Sequence, residues 1–266
     1  MKIGSFRQFA NGLAFSLMVG MSILANVLPL NGHSTGEISG AFPTLTTPAP
    51  YAFSIWVLIY AALGGFIFYF SRVDAEAEAL LKRIGPWFII GCIANITWVV
   101  LWHQQQFMGT VIAIGVILLS LIVIYTRLQV GLWAIASRER LLITAPFSLY
   151  LGWITVVTVA NISVALNYTS PFDGLGLNEA LWAAIVTVII TKITLIIVIT
   201  RNDFVYAGVI LWALVGILSN HDMTTWLANI LAVCVITVFA VSCIKLANVL
   251  MWDNNTSTLS IIERDK

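Results

Sequence analysis

The chain has 266 residues, of which 60% are hydrophobic and 9% are charged, and its mean hydropathy is +0.97. A water-soluble domain carries about 25% charged residues, so the composition excludes a soluble enzyme. The formal net charge of +1 gives no indication of a nucleic-acid partner. The hydrophobic share amounts to roughly 160 residues, which is enough for about eight membrane-spanning helices.

Long apolar runs predict an all-α, polytopic membrane helix bundle surrounded by the lipid bilayer. They argue against a β-barrel, in which hydrophobic residues alternate over segments of about ten residues. We predict about eight transmembrane helices. In chain order they cover residues 8–30, 51–71, 86–103, 107–126, 141–166, 178–200, 203–219 and 224–249. The first run is longer than the hydrophobic part of a signal peptide, so we expect it to be retained.

Lysine and arginine residues lie at alternate ends of these spans. Cytoplasmic loops are enriched in both residue types, and the four opposite loops contain neither. The pattern predicts that the N- and C-termini are both cytoplasmic. Only Lys192 lies deep within a span. It either extends to the inner surface, pairs within the structure, or marks a binding or ion site.

Aromatic and polar residues share one side of three predicted helices. In the second span Phe53, Trp56 and Tyr60 follow the i, i+3, i+7 spacing of a single helix face. The matching sets are Asn95, Trp98 and Trp102 in the third span and Tyr150, Trp153, Val157 and Asn161 in the fifth. Given the predicted orientation, the three sets should converge in the outer half of the bilayer, below loop 31–50.

Such a convergence has two interpretations. An aromatic-walled pocket with a few amide donors suits a flat, largely apolar ligand. The alternative is an interfacial belt of aromatic residues together with asparagines that hydrogen-bond between helices. Periodicity alone does not decide between them.

Signals for catalysis or metal binding are weak. His33, His103 and His221 show no metal-ligand spacing, and the sequence has no HExxH motif or glycine-rich phosphate loop. The three cysteines lie in apolar runs without a CxxC pair. An enzymatic function is therefore uncertain and less favoured than binding; no catalytic residue, metal or required cofactor is predicted.

The first predicted helix carries Gly12, Ser16 and Gly20 at four-residue spacing. Small residues at that spacing let two helices approach closely. They predict either packing inside the bundle, which we favour, or contact within a homodimer.

Three stretches of the sequence resemble the TspO/MBR family, the tryptophan-rich sensory proteins that include the mitochondrial translocator protein. They are residues 48–64, 95–98 and 150–153, the last followed by Asn161. The resemblance covers about residues 8–168 and implies a five-helix unit with a pocket under the first loop. It divides the chain into a TspO/MBR-like unit (1–170), three additional transmembrane helices (171–252) and a short cytoplasmic tail (253–266).

The resemblance also implies a function and a site. Family members bind porphyrins and haem-like tetrapyrroles, and some bind sterols and drug-like molecules. The chain would then be a membrane receptor or carrier for a flat hydrophobic ligand, with a porphyrin or haem favoured, in a sensory, regulatory or transport role. The ligand-binding residues would be Trp56, Tyr60, Asn95, Trp98, Tyr150, Trp153 and Asn161, with Trp102 added from its helix face.

Two departures from the family pattern stand out. The run before Trp56 is one residue shorter than the family's F-G-P-V-W, and the proline of the fifth helix is Pro146, where the family pattern would place it at Leu149. A small-solute transporter and a light-dependent porphyrin-degrading enzyme remain as alternatives. No Arg- and Ser-rich transit peptide begins the chain, which favours a bacterial-type plasma membrane and leaves an organelle membrane open.

Overall fold

The structure is a computed structural model that describes residues 3–28, 30–71, 75–132, 140–169, 178–220 and 225–264. Within these ranges the chain forms α-helices and short helical turns, with no β-strand. The α-helices are α1 (Ile3–Val27), α2 (Thr35–Ala41), α3 (Ile55–Ser71), α4 (Ala75–Ile84), α5 (Trp87–His103), α6 (Phe107–Arg127), α7 (Ala145–Tyr168), α8 (Glu179–Arg201), α9 (Phe204–Asn220) and α10 (Thr225–Arg264). The 3-10 turns Leu30–Gly32 and Pro50–Ser54 precede α2 and α3, and a π-helical turn, Arg140–Thr144, precedes α7.

Several helices have the length and composition of membrane spans. Six segments are long and apolar enough, namely Phe6–Val27, Pro50–Ser71, Phe107–Arg127, Leu141–Tyr168, Glu179–Arg201 and Trp226–Met251. The apolar helices α5 and α9 have 17 residues each, or about 25 Å at 1.5 Å per residue. The all-α, multi-span architecture is thus confirmed, whereas the count of eight and the orientation of the termini stay predictions.

Two shorter helices lie in segments predicted to be loops. In loop 31–50, α2 begins at a capping box: the Ser34 hydroxyl accepts from the Glu37 N–H, and the Glu37 carboxylate accepts from the Ser34 N–H at 2.7 Å. That backbone hydrogen bond holds the pKa of Glu37 below its ordinary value. The segment 72–85, between the second and third predicted spans, contains α4.

Helix α7 lies at the centre of the bundle. It contacts α3 and α6 from the N-terminal half of the chain and α8 and α9 from the C-terminal half. Its Phe147, Trp153 and Ile154 are fully buried. Gly152 lets α9 approach closely, because an added Cβ atom would lie 3.0 Å from Cβ of Val209. The main hydrophobic core therefore extends across both halves of the chain.

The structure can be compared with the expected packing of the small residues on α1. The buried stripe of α1 contains Asn11, Ala14, Met18, Ser22 and Ala25. The expected internal packing through the small residues is wrong for two of them, since Ser16 and Gly20 are exposed. A homodimer contact stays a prediction.

Lys192 is exposed on α8 and pairs with no carboxylate of the described residues, which argues against pairing inside the bundle.

The close α7–α9 contact leads to a test of packing. Gly152→Ala should destabilise the bundle by about 1–3 kcal/mol, because its methyl group overpacks against Val209. Gly208→Ala on α9 is the matched control: nothing lies within 4 Å of its added Cβ atom, so it should be neutral or slightly stabilising. Thermal unfolding in detergent compares the two variants. Equal stability would contradict the close approach of α7 and α9.

The predicted orientation can be tested by cysteine labelling in intact cells. Gln104, between α5 and α6, and Ser71, at the end of α3, are both exposed. A membrane-impermeant maleimide should label Gln104→Cys directly and Ser71→Cys only after permeabilisation. Cys92 and Cys234 are buried, and Cys243 would be replaced by Ala in both variants. Labelling of Ser71→Cys from outside would contradict the orientation.

Candidate functional site

Four aromatic rings from α3 and α5 form a row of nearly parallel planes. The order is Tyr60, Trp56, Trp98 and Trp102. Successive ring centroids are 5.4, 6.5 and 5.7 Å apart, and successive planes are tilted by 27°, 30° and 18°. The row exists because the i, i+4 spacing on each helix stacks one ring over the next.

Behind this row, two rings of α7 meet Trp56 edge-on. Its centroid lies 5.9 Å from that of Tyr150 and 6.3 Å from that of Trp153, with planes at 67° and 86°. Edge-to-face contacts of this kind are favourable, because the positive edge of one ring meets the negative face of the other. The indole of Trp56 is thus supported from behind by α7.

Two hydrogen bonds fix α5 against α7 behind the row. The Trp98 indole N–H donates to Oδ1 of Asn161 at 2.9 Å, and the Asn95 amide donates to the Tyr150 hydroxyl at 3.0 Å. Both bonds join α5 to α7 and all four side chains are buried. In a membrane such pairing orients one helix relative to its neighbour, since an unpaired polar group in hydrocarbon is costly.

A cavity of about 430 Å³ lies in front of the aromatic row, between α1, α3 and α5. Its volume is in the range of small-molecule sites. The lining is mostly apolar, and no charged residue lines it in the part of the chain that the structure describes. The lining residues are Ser22, Ile23, Asn26, Val27, Ser34, Thr35, Gly36, Phe53, Trp56, Val57, Tyr60, Trp98 and Val99.

The loop between α1 and α3 covers this cavity. Residues 34–36, at the start of α2, line it. The Trp102 indole N–H donates to the Thr35 carbonyl at 3.2 Å, and the Asn31 amide donates to the His103 carbonyl at 3.1 Å. Both bonds join the loop to the end of α5. A cavity therefore lies under the first loop, where the resemblance to the TspO/MBR family implied a pocket.

The eight predicted site residues come together, but they do not all face the cavity. Trp56, Tyr60 and Trp98 line it, Trp102 belongs to the row but does not line the cavity, and the other four residues lie behind or beside the row. Trp102 holds the loop, and Trp153 supports Trp56. The other three are Asn95, Tyr150 and Asn161.

The predicted role of the two asparagines as ligand donors finds no support. The Asn161 amide group donates to the Val157 carbonyl of its own helix at 2.8 Å, and that of Asn95 donates to Tyr150. The amide N–H groups of both residues thus have partners within the bundle, whereas the buried Asn95 Oδ1 has no hydrogen-bond partner among the described residues. Ligand binding by these eight residues stays a prediction.

Sequence reasoning missed the contribution of α1. Its Ser22 hydroxyl hydrogen-bonds to the Tyr60 hydroxyl at 2.8 Å, and Asn26 lines the cavity one turn further along. Asn26 was recognisable as a polar residue in an apolar run. Ser22 gave no signal, because a serine can satisfy its hydroxyl against its own helix.

Two features of the described residues bear on what the cavity could hold. No group of three histidine, cysteine, aspartate or glutamate residues that could hold a metal occurs within the described ranges. The Trp56 indole N–H donates no hydrogen bond to any described residue. Among the lining side chains it is therefore a donor available to a ligand.

The comparison with protein-family models agrees with this architecture. The model described as TSPO-like protein matches residues 8–247. The chain belongs to the TSPO-like family. Searches of curated proteins and of solved structures found no significant match.

The family match is longer than the resemblance in the three motifs. It continues from α1 to α10 and so includes the three helices that the five-helix core of the TspO/MBR family lacks. A TSPO-like membrane protein with a connected aromatic cluster is therefore established. The division of the chain at residue 170 stays a prediction.

The Trp98–Asn161 hydrogen bond leads to a test of stability. Trp98→Phe removes the indole N–H and leaves a buried Asn161 oxygen unpaired, which should cost about 1–2 kcal/mol. Trp56→Phe is the control, because it removes similar atoms but breaks no hydrogen bond among the described residues. Thermal unfolding in detergent should show the larger loss for Trp98→Phe. The opposite order would mean that this bond does not hold α5 to α7.

Proposed function

We propose that this TSPO-like membrane protein binds a flat, largely apolar ligand in the cavity between α1, α3 and α5, and that a tetrapyrrole is the leading candidate. The observation that carries the proposal is the row of parallel rings along the cavity wall. A planar macrocycle could stack against such a wall over a large area. Stacking gains dispersion energy and removes apolar surface from the surroundings.

The cavity opens toward the space between α1 and α3. Ile23 and Val27 of α1 and Val57 of α3 line it and are 56%, 69% and 74% exposed. These residues lie within candidate membrane spans, where an exposed apolar side chain contacts lipid. We infer that the ligand enters sideways from the bilayer and that its chemistry is lipophilic.

Polar recognition would come from few groups. The Trp56 N–H and the Asn26 side chain are at the cavity, and no described lining residue is cationic. A lining without cations favours the neutral ring system over its carboxylate substituents. Octaethylporphyrin, which has no carboxylate, should therefore bind at least as tightly as protoporphyrin IX.

The test is quenching of tryptophan fluorescence by protoporphyrin IX in the purified protein. Trp56→Leu removes the ring that lies between Tyr60 and Trp98 in the row, and it should weaken saturable binding about tenfold. Trp226→Leu is the matched control: it also removes one of the ten tryptophans and lies at the start of α10, away from the cavity. Its affinity should equal that of the wild type.

Equal affinity in both variants would contradict this site, provided that each variant unfolds at the wild-type temperature. Non-saturating quenching in every protein would indicate partitioning of the porphyrin into detergent. Binding does not by itself separate sensing or carriage from breakdown of the ligand. Illumination of the saturated complex separates these functions. Only breakdown predicts bleaching of the bound porphyrin that depends on light and oxygen and that is slower in the Trp56→Leu variant.

A further inference from the structure

The α2–α3 segment, residues 43–54, connects the loop above the cavity to the helix that carries Trp56. Its last turn contains Phe53, which lines the cavity and meets Trp153 edge-on at 5.7 Å. The position of this segment therefore sets one end of the cavity wall. A chain in this place needs partners for its backbone, because an unpaired N–H or carbonyl group near hydrocarbon is costly.

Helices α8 and α9 supply several of these partners. The Leu45 N–H donates to the carboxylate of Glu179 at 2.9 Å, and the Ala49 N–H donates to the Gly216 carbonyl at 3.0 Å. The Trp212 indole N–H donates to the Ala52 carbonyl at 3.1 Å. These contacts join residues more than 130 positions apart in sequence.

Close packing accompanies the hydrogen bonds. Gly216 faces the segment so closely that an added Cβ atom would lie 3.1 Å from Cβ of Ala52 and 3.3 Å from Cβ of Pro48. The ring of Tyr51 meets that of Trp212 edge-on at 5.2 Å. Helix α9 thus matches the segment in shape as well as in polar groups.

We propose that α8 and α9 act as a built-in clamp on the α2–α3 segment, with Glu179 and Trp212 as positioning residues for the cavity wall. The clamp assigns a role to the C-terminal helices: they fix, within one chain, the segment that leads into the Trp56 helix. Neither residue lines the cavity, so both act on a ligand only through the segment. The effect on ligand affinity rests on the proposed function, whereas the effect on the segment does not.

Hydrogen exchange of the full-length protein in detergent tests the clamp directly. Glu179→Leu removes the acceptor of the Leu45 N–H and should speed exchange in residues 43–54 roughly fivefold. Glu179→Gln keeps a carbonyl oxygen at that place and should restore slow exchange. Exchange in α6 should be unchanged in both variants, which separates loosening of the segment from loss of the fold.

Trp212→Phe provides a second variant with a matched control. It removes the N–H that reaches Ala52 and should also speed exchange in residues 43–54. Trp226→Phe makes the same replacement on α10, at a side chain with no hydrogen bond to a described residue, and should leave exchange unchanged. Unaltered exchange in Glu179→Leu, or equal exchange in the Leu and Gln variants, would overturn the clamp.

Porphyrin affinity supplies the second readout. The Glu179→Leu and Trp212→Phe variants should bind protoporphyrin IX several-fold more weakly, while Glu179→Gln and Trp226→Phe bind as the wild type does. Faster exchange with unchanged affinity would overturn the role of the clamp in shaping the cavity. Absence of binding in the wild type would refute the proposed function, and hydrogen exchange would still decide the clamp.

Discussion

The cost of an unpaired polar group in hydrocarbon is the constraint on which this bundle depends. Water cannot satisfy such a group in the bilayer core, so a partner within the protein stabilises it strongly. Few buried side-chain atoms of the described residues lack one, and Asn95 Oδ1 and Trp153 Nε1 are among them. Trp98 pairs with Asn161, Asn95 with Tyr150, and Ser22 with Tyr60. Each pair joins two helices and so limits how either can rotate. These polar pairs hold α5 to α7 and α1 to α3, and the ring contacts of Trp56 with Trp98 and Tyr150 join the two pairs of helices.

This arrangement divides the aromatic residues into two roles. Trp98 and Trp102 use their N–H groups for contacts within the protein, to α7 and to the loop respectively. Trp56 keeps its N–H unpaired among the described residues but is packed from behind by Tyr150 and Trp153. A wall that is already ordered loses little conformational entropy when a ligand binds. Under the proposed function, the rings behind the wall would therefore contribute to binding without touching the ligand.

The sequence predicted the features that depend on local periodicity. Apolar runs located the long helices, and the i, i+3, i+7 spacing identified the faces that carry Trp56, Trp98 and Trp153. The sequence analysis did not predict α2, a helix of seven residues with a capping box at Ser34 and Glu37, because several glycines and prolines made its segment resemble a loop. Which of these rings line the cavity was not predictable, because periodicity gives the side of a helix and not the distance to its neighbour. The bond between Leu45 and Glu179 is a tertiary contact with no local signal.

The C-terminal helices are a separate stretch of sequence but belong to the same packing unit. Helix α7 is buried on the side that faces α9, where Gly152 meets Val209 and the Tyr206 hydroxyl donates to Thr155 at 3.2 Å. Without that cover, this side of α7 would face lipid, and the close contact at Gly152 would be lost. The same α9 reaches the α2–α3 segment through Gly216 and Trp212. One helix thus supports the aromatic wall twice, from behind through α7 and from its end through the segment that leads into α3.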